Sequence, residues 1–236
     1  MSFRLETALD NPESPPAIAT GAPLFPKGAT SWFRASLLCM AGVVVATPAL
    51  FIAWQRTPYA TGTLDPKMQP LKFDHRHHVR DDGIACLYCH ADVRRSSSAG
   101  MPAASTCMGC HAQIWTESPE TAPLRASYFR DAPLTWQRVT RLPDHVFFDH
   151  SSHVNHGVGC VTCHGRVDLM AQLYAVEPFT MKFCLSCHRD PEPFLRPLGH
   201  IADMEWVPQG SARAVGHQIK EQLRVNPRTD CTTCHR

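Results

Sequence analysis

A small helical domain with many loops, organised around bound groups and tethered to a membrane by one N-terminal helix, is the fold class this sequence predicts. Three observations predict it: an uncharged apolar stretch near the N-terminus, five copies of Cys-x-x-Cys-His after it, and twenty prolines spread along the chain.

From Ala35 to Trp54 the sequence reads ASLLCMAGVVVATPALFIAW, twenty residues without a formal charge between Arg34 and Arg56. As a helix this length rises about 30 Å, the thickness of a bilayer's hydrocarbon core. A cleaved signal peptide would have a short basic leader and an apolar region of about 7–15 residues. Here the leader is long and rich in Pro, Ala and small polar residues, while Arg4, Lys27 and Arg34 supply the positive charge that favours the cytoplasmic side. The expected organisation is a disordered or extended cytoplasmic tail over 1–31, a transmembrane anchor over 32–55 and an exported domain over 56–236. Pro48 weakens backbone bonding within the span and allows a kink.

Ten of the eleven cysteines lie in the exported part, paired as Cys86 with Cys89, Cys107 with Cys110, Cys160 with Cys163, Cys184 with Cys187, and Cys231 with Cys234. A histidine follows each pair directly: His90, His111, His164, His188 and His235. The eleventh, Cys39, sits in the apolar span as a small hydrophobe. Zinc must be weighed, because 17 residues separate Cys89 from Cys107 and 20 separate Cys163 from Cys184, spacings a four-cysteine site uses. Two such sites would strand Cys231 and Cys234 and give no reason for the five histidines. With 14 His in 236 residues that coincidence has a probability on the order of one in a million. A redox dithiol needs one reactive pair and no trailing His. Covalent haem attachment accounts for every position: two thiols three residues apart reach the two vinyl groups of one porphyrin, and the adjacent imidazole becomes the proximal iron ligand. The domain is therefore expected to be a multihaem cytochrome c holding five haems c.

Electron-transfer haems use a second axial ligand, and nine histidines lie outside the motifs. FDHRHHV (73–79) and FDHSSHV (148–154) share Phe-Asp-His-x-x-His-Val, and two haem motifs follow each copy. The chain thus contains a duplicated two-haem unit, 73–111 and 148–188. Histidines three apart on a helical turn can serve two different irons, which makes His75, His78, His150 and His153 the expected distal ligands. His77, His145, His156 and His200 read as solvated or propionate-binding. For the fifth iron Met170 and Met181 come first, since both lie between the third and fourth motifs, with His217 and Met204 as further candidates.

The haem-bearing part offers about 36 residues per haem, too few for an independent apolar core. The porphyrins must serve as core, with short helices carrying the motifs, an extended linker over 56–72 and a connector over 119–143 between the repeats. With a His on every iron and at least four distal ligands, few coordination positions stay open, which favours an electron wire over a reactor. The formal charge of +2 says little about partners, because haem propionates offset it. No nucleic-acid motif is present.

With these motifs in place the chain resembles the membrane-anchored pentahaem cytochrome c subunit of alternative complex III, a bacterial quinol oxidoreductase. The resemblance covers most of 70–236 and rests on FDHRHHVRDDGIACLYCH (73–90), AGMPAASTCMGCHAQIW (99–115), HVNHGVGCVTCHGRVDLM (153–170), TMKFCLSCHR (180–189) and TDCTTCHR (229–236). It implies an electron-carrying subunit in the cytoplasmic membrane with its haem domain on the periplasmic side. It further implies polytopic quinol-binding subunits, an iron–sulfur subunit, and a monohaem cytochrome c or terminal oxidase as acceptor. By the same resemblance the four repeat histidines are distal ligands. Two other functions compete: a stand-alone quinol dehydrogenase, which needs a haem edge at the membrane surface, and a multihaem reductase, which needs one five-coordinate haem.

Overall fold

A computed structural model describes residues 25–236, so most of the expected tail over 1–31 lies outside the described residues. The chain divides after Trp54 into two units. In the first, the apolar stretch forms α1 (Ala29–Trp54), which begins three residues earlier than the expected anchor and contains Pro48. Its 26 residues make a rod of about 39 Å, long and apolar enough to cross a membrane. Hydroxyls inside it donate to the helix's own carbonyls, Ser36 to Trp32 O and Thr47 to Val43 O, both at 2.8 Å, so these two side chains need no water.

The second unit, 55–236, is helical and loop-rich, in the fold class the sequence predicts. Among the described residues pairing between extended segments is limited to three isolated bridges, Thr63 with Ala175, Val146 with His235, and Val158 with Leu195. The helices are α2 (Pro58–Thr61), α3 (Cys86–Cys89), α4 (Ala104–His111), α5 (Ala122–Arg130), α6 (His150–Val154), α7 (Cys160–His164), α8 (Met181–Arg189), α9 (Ala212–Leu223) and α10 (Cys231–Cys234). A wide π-turn covers Arg76–Asp81. Side chains fix several starts: Thr57, Asp149, Thr180 and Ser211 each accept a first-turn N–H, of Ala60, Ser152, Phe183 and Ala214.

Two segments carry structure that the sequence reading does not name. The extended linker over 56–72 is fastened: Gly62, at φ 69°, turns the chain after α2, and the N–H groups of Leu64 and Lys67 donate to Ala175 O and Leu173 O at 2.8 and 3.2 Å. The connector over 119–143 contains α5, ended by Asp131 at φ 51°.

Apolar burial is sparse. Eight hydrophobic residues are buried among those described, and Val93, Val154 and Ile201 make the one buried apolar cluster, sealed by Leu87, Ala99 and Leu198. No large side chain is fully enclosed. Elsewhere α9 lies directly on the turn Glu192–Phe194, and any Cβ at Gly216 would collide with the Glu192 carbonyl. Gly216→Ala is therefore expected to cost roughly 1–3 kcal/mol, read as a lowered unfolding temperature with haem content unchanged.

Candidate haem-binding sites

Each Cys-x-x-Cys-His motif forms a helical turn that carries its three functional side chains on one side. The first cysteine opens the turn in α3, α7 and α10, and the backbone closes it: the N–H groups of His90 and His235 donate to Cys86 O and Cys231 O, both at 2.9 Å. A residue and its fourth successor share a helix face, so the histidine falls beside the first thiol. Burial raises the thiol pKa throughout sites one, three and four, and Cys163, with Cys187 and Cys184 adding to burial, is pushed up to about 12. These sulfurs are uncharged, and none of the cysteines is disulfide-bonded. Uncharged buried sulfur suits a thioether. Among the described residues no three His, Cys, Asp or Glu side chains converge as a zinc site requires.

Opposite the motif histidines stand the repeat histidines. Ring centres of His78 and His111 lie 6.2 Å apart, those of His150 and His164 6.3 Å, and those of His153 and His188 6.1 Å. Two imidazoles on one iron, each nitrogen about 2.0 Å from the metal, have ring centres about 6.2 Å apart. His75 lies close enough to His90 for their charges to repel. In both repeats the first histidine thus meets the first motif and the second histidine the second motif. One phenylalanine braces each pair. Phe73 meets His75 edge-on and stacks on His78, at 4.7 and 4.3 Å; Phe148 does the same to His150 and His153, at 4.8 and 4.4 Å.

Hydrogen bonds set the tautomers. The Nδ1–H of His78 donates to Asp74 O (2.9 Å), of His90 to Gly100 O (2.8 Å), of His150 to Ser97 O (2.8 Å), of His153 to Asp149 O (2.7 Å) and of His188 to Arg228 O (2.7 Å). A carbonyl only accepts, so the proton sits on Nδ1 and the Nε2 lone pair is free for a metal. Burial, with nearby histidines adding to it, pushes His75 and His164 down to about 4 and keeps both imidazoles neutral. Among the described residues two buried side-chain atoms lack a partner, Nδ1 of His75 and Nε of Arg196, whose guanidinium lies near Cys160. The residues present fit haem c: neutral thiol pairs, imidazoles with free lone pairs, and a polypeptide short of apolar core.

Neighbouring sites touch in sequence. The Tyr88 hydroxyl of site one lies beside Gly109 of site two, 3.8 Å from where a Cβ would stand. The loop after site one holds α6: Ser97 O and Ser96 O accept the N–H groups of His150 and Ser151 at 3.3 and 3.2 Å, and Asn155 donates to Arg94 O at 2.9 Å. Arg94 itself donates to Leu198 O at 3.2 Å. Cys86 and Cys160 both pack on the 201–202 backbone, and His90 and His164 are in electrostatic contact. Cys163 is likewise close to Cys184 and Cys187, Cys184 to Cys234, and His188 bonds Arg228 O in the segment leading into site five. The sites therefore follow one another in the order two, one, three, four, five.

Met170 is packed inside at 5% exposure, whereas Met181 opens α8 at 63% exposure. His217 turns to Glu192 at 3.1 Å, in a cluster with Lys220 and Arg213. His145, read from sequence as solvated or propionate-binding, has its ring 5.6 Å from that of His235. No repeat signal marks it, because the first repeat has no histidine at the equivalent place.

Repeated neutral thiol pairs, each with its own imidazole and most with a second imidazole opposite, define a multihaem cytochrome c, an electron-transfer protein. The family profile for cytochrome c7 and related cytochrome c matches residues 146–236. Over 195 residues, 82% of this chain and 78% of the relative, the sequence is 35% identical to the multiheme cytochrome c subunit of menaquinone reductase from Nitratidesulfovibrio vulgaris. The chain belongs to the multihaem cytochrome c family and binds haem c covalently.

Proposed function

We propose that the chain carries five haems c in one line and relays electrons within a membrane quinone oxidoreductase of the alternative complex III kind. The observation that carries this reading is the set of histidine pairs at iron-bridging separation, arranged as contiguous sites. Bound haem supplies a one-electron couple at each site. At four sites the polypeptide would hold the iron between two imidazoles, with carbonyl acceptors fixing the tautomers of His78, His90, His150, His153 and His188, and it keeps the line continuous. Sites two and five are its ends, where donor and acceptor dock. With α1 as a single-pass anchor in the cytoplasmic membrane, the haem unit stands on the periplasmic side. Its partners are polytopic quinol-binding subunits, an iron–sulfur subunit and a monohaem cytochrome c or terminal oxidase. As an alternative complex III subunit it passes electrons from quinol outward.

A second reading reverses that flow. The relative's name, menaquinone reductase, favours electrons running toward the quinone. The detergent-extracted complex decides: rapid haem reduction by menaquinol supports the first direction, and haem oxidation by menaquinone after reduction by a periplasmic cytochrome supports the second. Quinol oxidation by the solitary chain would contradict both and restore the stand-alone dehydrogenase.

Ligand-plane angles give a spectroscopic expectation. His150 and His164 are nearly coplanar, at 3°, which separates the iron d orbitals and gives a rhombic low-spin resonance. His78 and His111 cross at 61°, which leaves those orbitals nearly degenerate and gives a strongly axial one. Electron paramagnetic resonance of the oxidised protein is expected to contain both types, and a uniform rhombic spectrum would contradict the assignment.

A further inference from the structure

We infer that His145 is the distal ligand of the fifth haem iron, opposite His235; this rests on the five-haem reading above. The two rings lie 5.6 Å apart with their planes 22° from parallel. That is about half an ångström tighter than the three repeat pairs, which span 6.1–6.3 Å. A short stretch of paired backbone holds the approach. Val146 bridges His235, Phe147 N–H donates to Cys234 O at 2.8 Å, and Arg236 N–H donates to His145 O at 3.2 Å. The Arg236 guanidinium covers the Phe147 ring at 3.3 Å, closing the same pairing from the side. The segment before the second repeat is thus fastened along the last motif, and the ring it presents there can donate a nitrogen lone pair to iron.

The other spare histidines face elsewhere. His77 pairs with Asp81 and Asp82, His200 with Asp203, and His217 with Glu192, each a carboxylate that holds the ring. His156 bonds Ser152 O. Met170 is enclosed by protein, and Met181 begins the helix whose own histidine meets His153. Ligation by His145 also completes a rule of the chain: every iron is held by two imidazoles, and the distal one comes from a segment N-terminal to the motif it serves.

The test uses the full chain extracted from membranes, with haem count read by intact mass and ligation by optical spectra and carbon monoxide binding. Wild type is expected to carry five haems, to show no sulfur-to-iron charge-transfer band and to bind no carbon monoxide. His145→Gly is expected to keep all five haems while one becomes high-spin and binds one equivalent of carbon monoxide. Added imidazole is expected to restore the low-spin spectrum. Met170→Leu, Met181→Leu and His217→Ala are expected to leave the spectrum unchanged. A charge-transfer band in wild type, or a low-spin His145→Gly protein without added imidazole, would overturn the assignment. If His145→Gly does not accumulate, His145→Met takes its place and is expected to gain that band. Fewer than five haems in wild type would instead overturn the five-haem reading.

Discussion

Replacing Cys160 and Cys163 together by alanine is expected to remove one haem and to stop electron transfer between the two halves of the line. Site three is the junction. Cys160 and His164 lie against Cys86 and His90 of site one, and Cys163 lies against Cys184 and Cys187 of site four. Without its haem, an electron must cross from site one to site four in a single step. Transfer measured by rapid mixing from one end to the other is expected to slow by roughly 100-fold or more, equivalent to about 2.7 kcal/mol of added barrier. The loss also removes filling from the region next to Val154, where few apolar side chains are buried, so the unfolding temperature is expected to fall. The matching variant at site five, Cys231→Ala with Cys234→Ala, is expected to lose one haem and leave the remaining four in rapid exchange. Unimpaired end-to-end transfer in the site-three variant would show that the sites do not form the line described.

The second large effect is expected for His153→Ala. His153 faces His188 at 6.1 Å, stacks on Phe148 and donates Nδ1–H to Asp149 O, an arrangement that presents Nε2 to one position. Burial, its leading influence, lowers the His153 pKa and favours the neutral, ligating form. Alanine leaves that iron with His188 alone. One haem is expected to turn from low-spin to high-spin and to bind one equivalent of carbon monoxide, with haem number unchanged. A low-spin His153→Ala protein that binds none would remove His153 from the ligand set.

Much of this architecture was legible because its signals are local. A Cys-x-x-Cys-His motif needs one helical turn, and α3, α7 and α10 are little more than that turn. The Phe-Asp-His-x-x-His-Val repeat also acts locally, since one phenylalanine braces two histidines within five residues. Length and an uncharged run from Ala35 to Trp54 mark α1. What escaped the sequence depends on distant pairing. His145 meets a motif ninety residues further on through backbone bonds that any side chains could make. The linker over 56–72 reads only as extended, because nothing in its composition announces the Leu173 and Ala175 carbonyls that accept from it. The order of sites arises because Cys86 and Cys160 share the 201–202 backbone, and Cys86 reaches Ala202 from 116 positions away. Helix α9, the longest in the haem-bearing unit, has no motif, and its place is set by Gly216 fitting against Glu192.

Whether haem fills this chain and makes it a carrier is decided by the intact mass of the membrane-extracted protein. The expected mass is that of the polypeptide plus five haems c, each through two thioethers at Cys86 and Cys89, Cys107 and Cys110, Cys160 and Cys163, Cys184 and Cys187, and Cys231 and Cys234. A fully processed chain with four haems or fewer would contradict it.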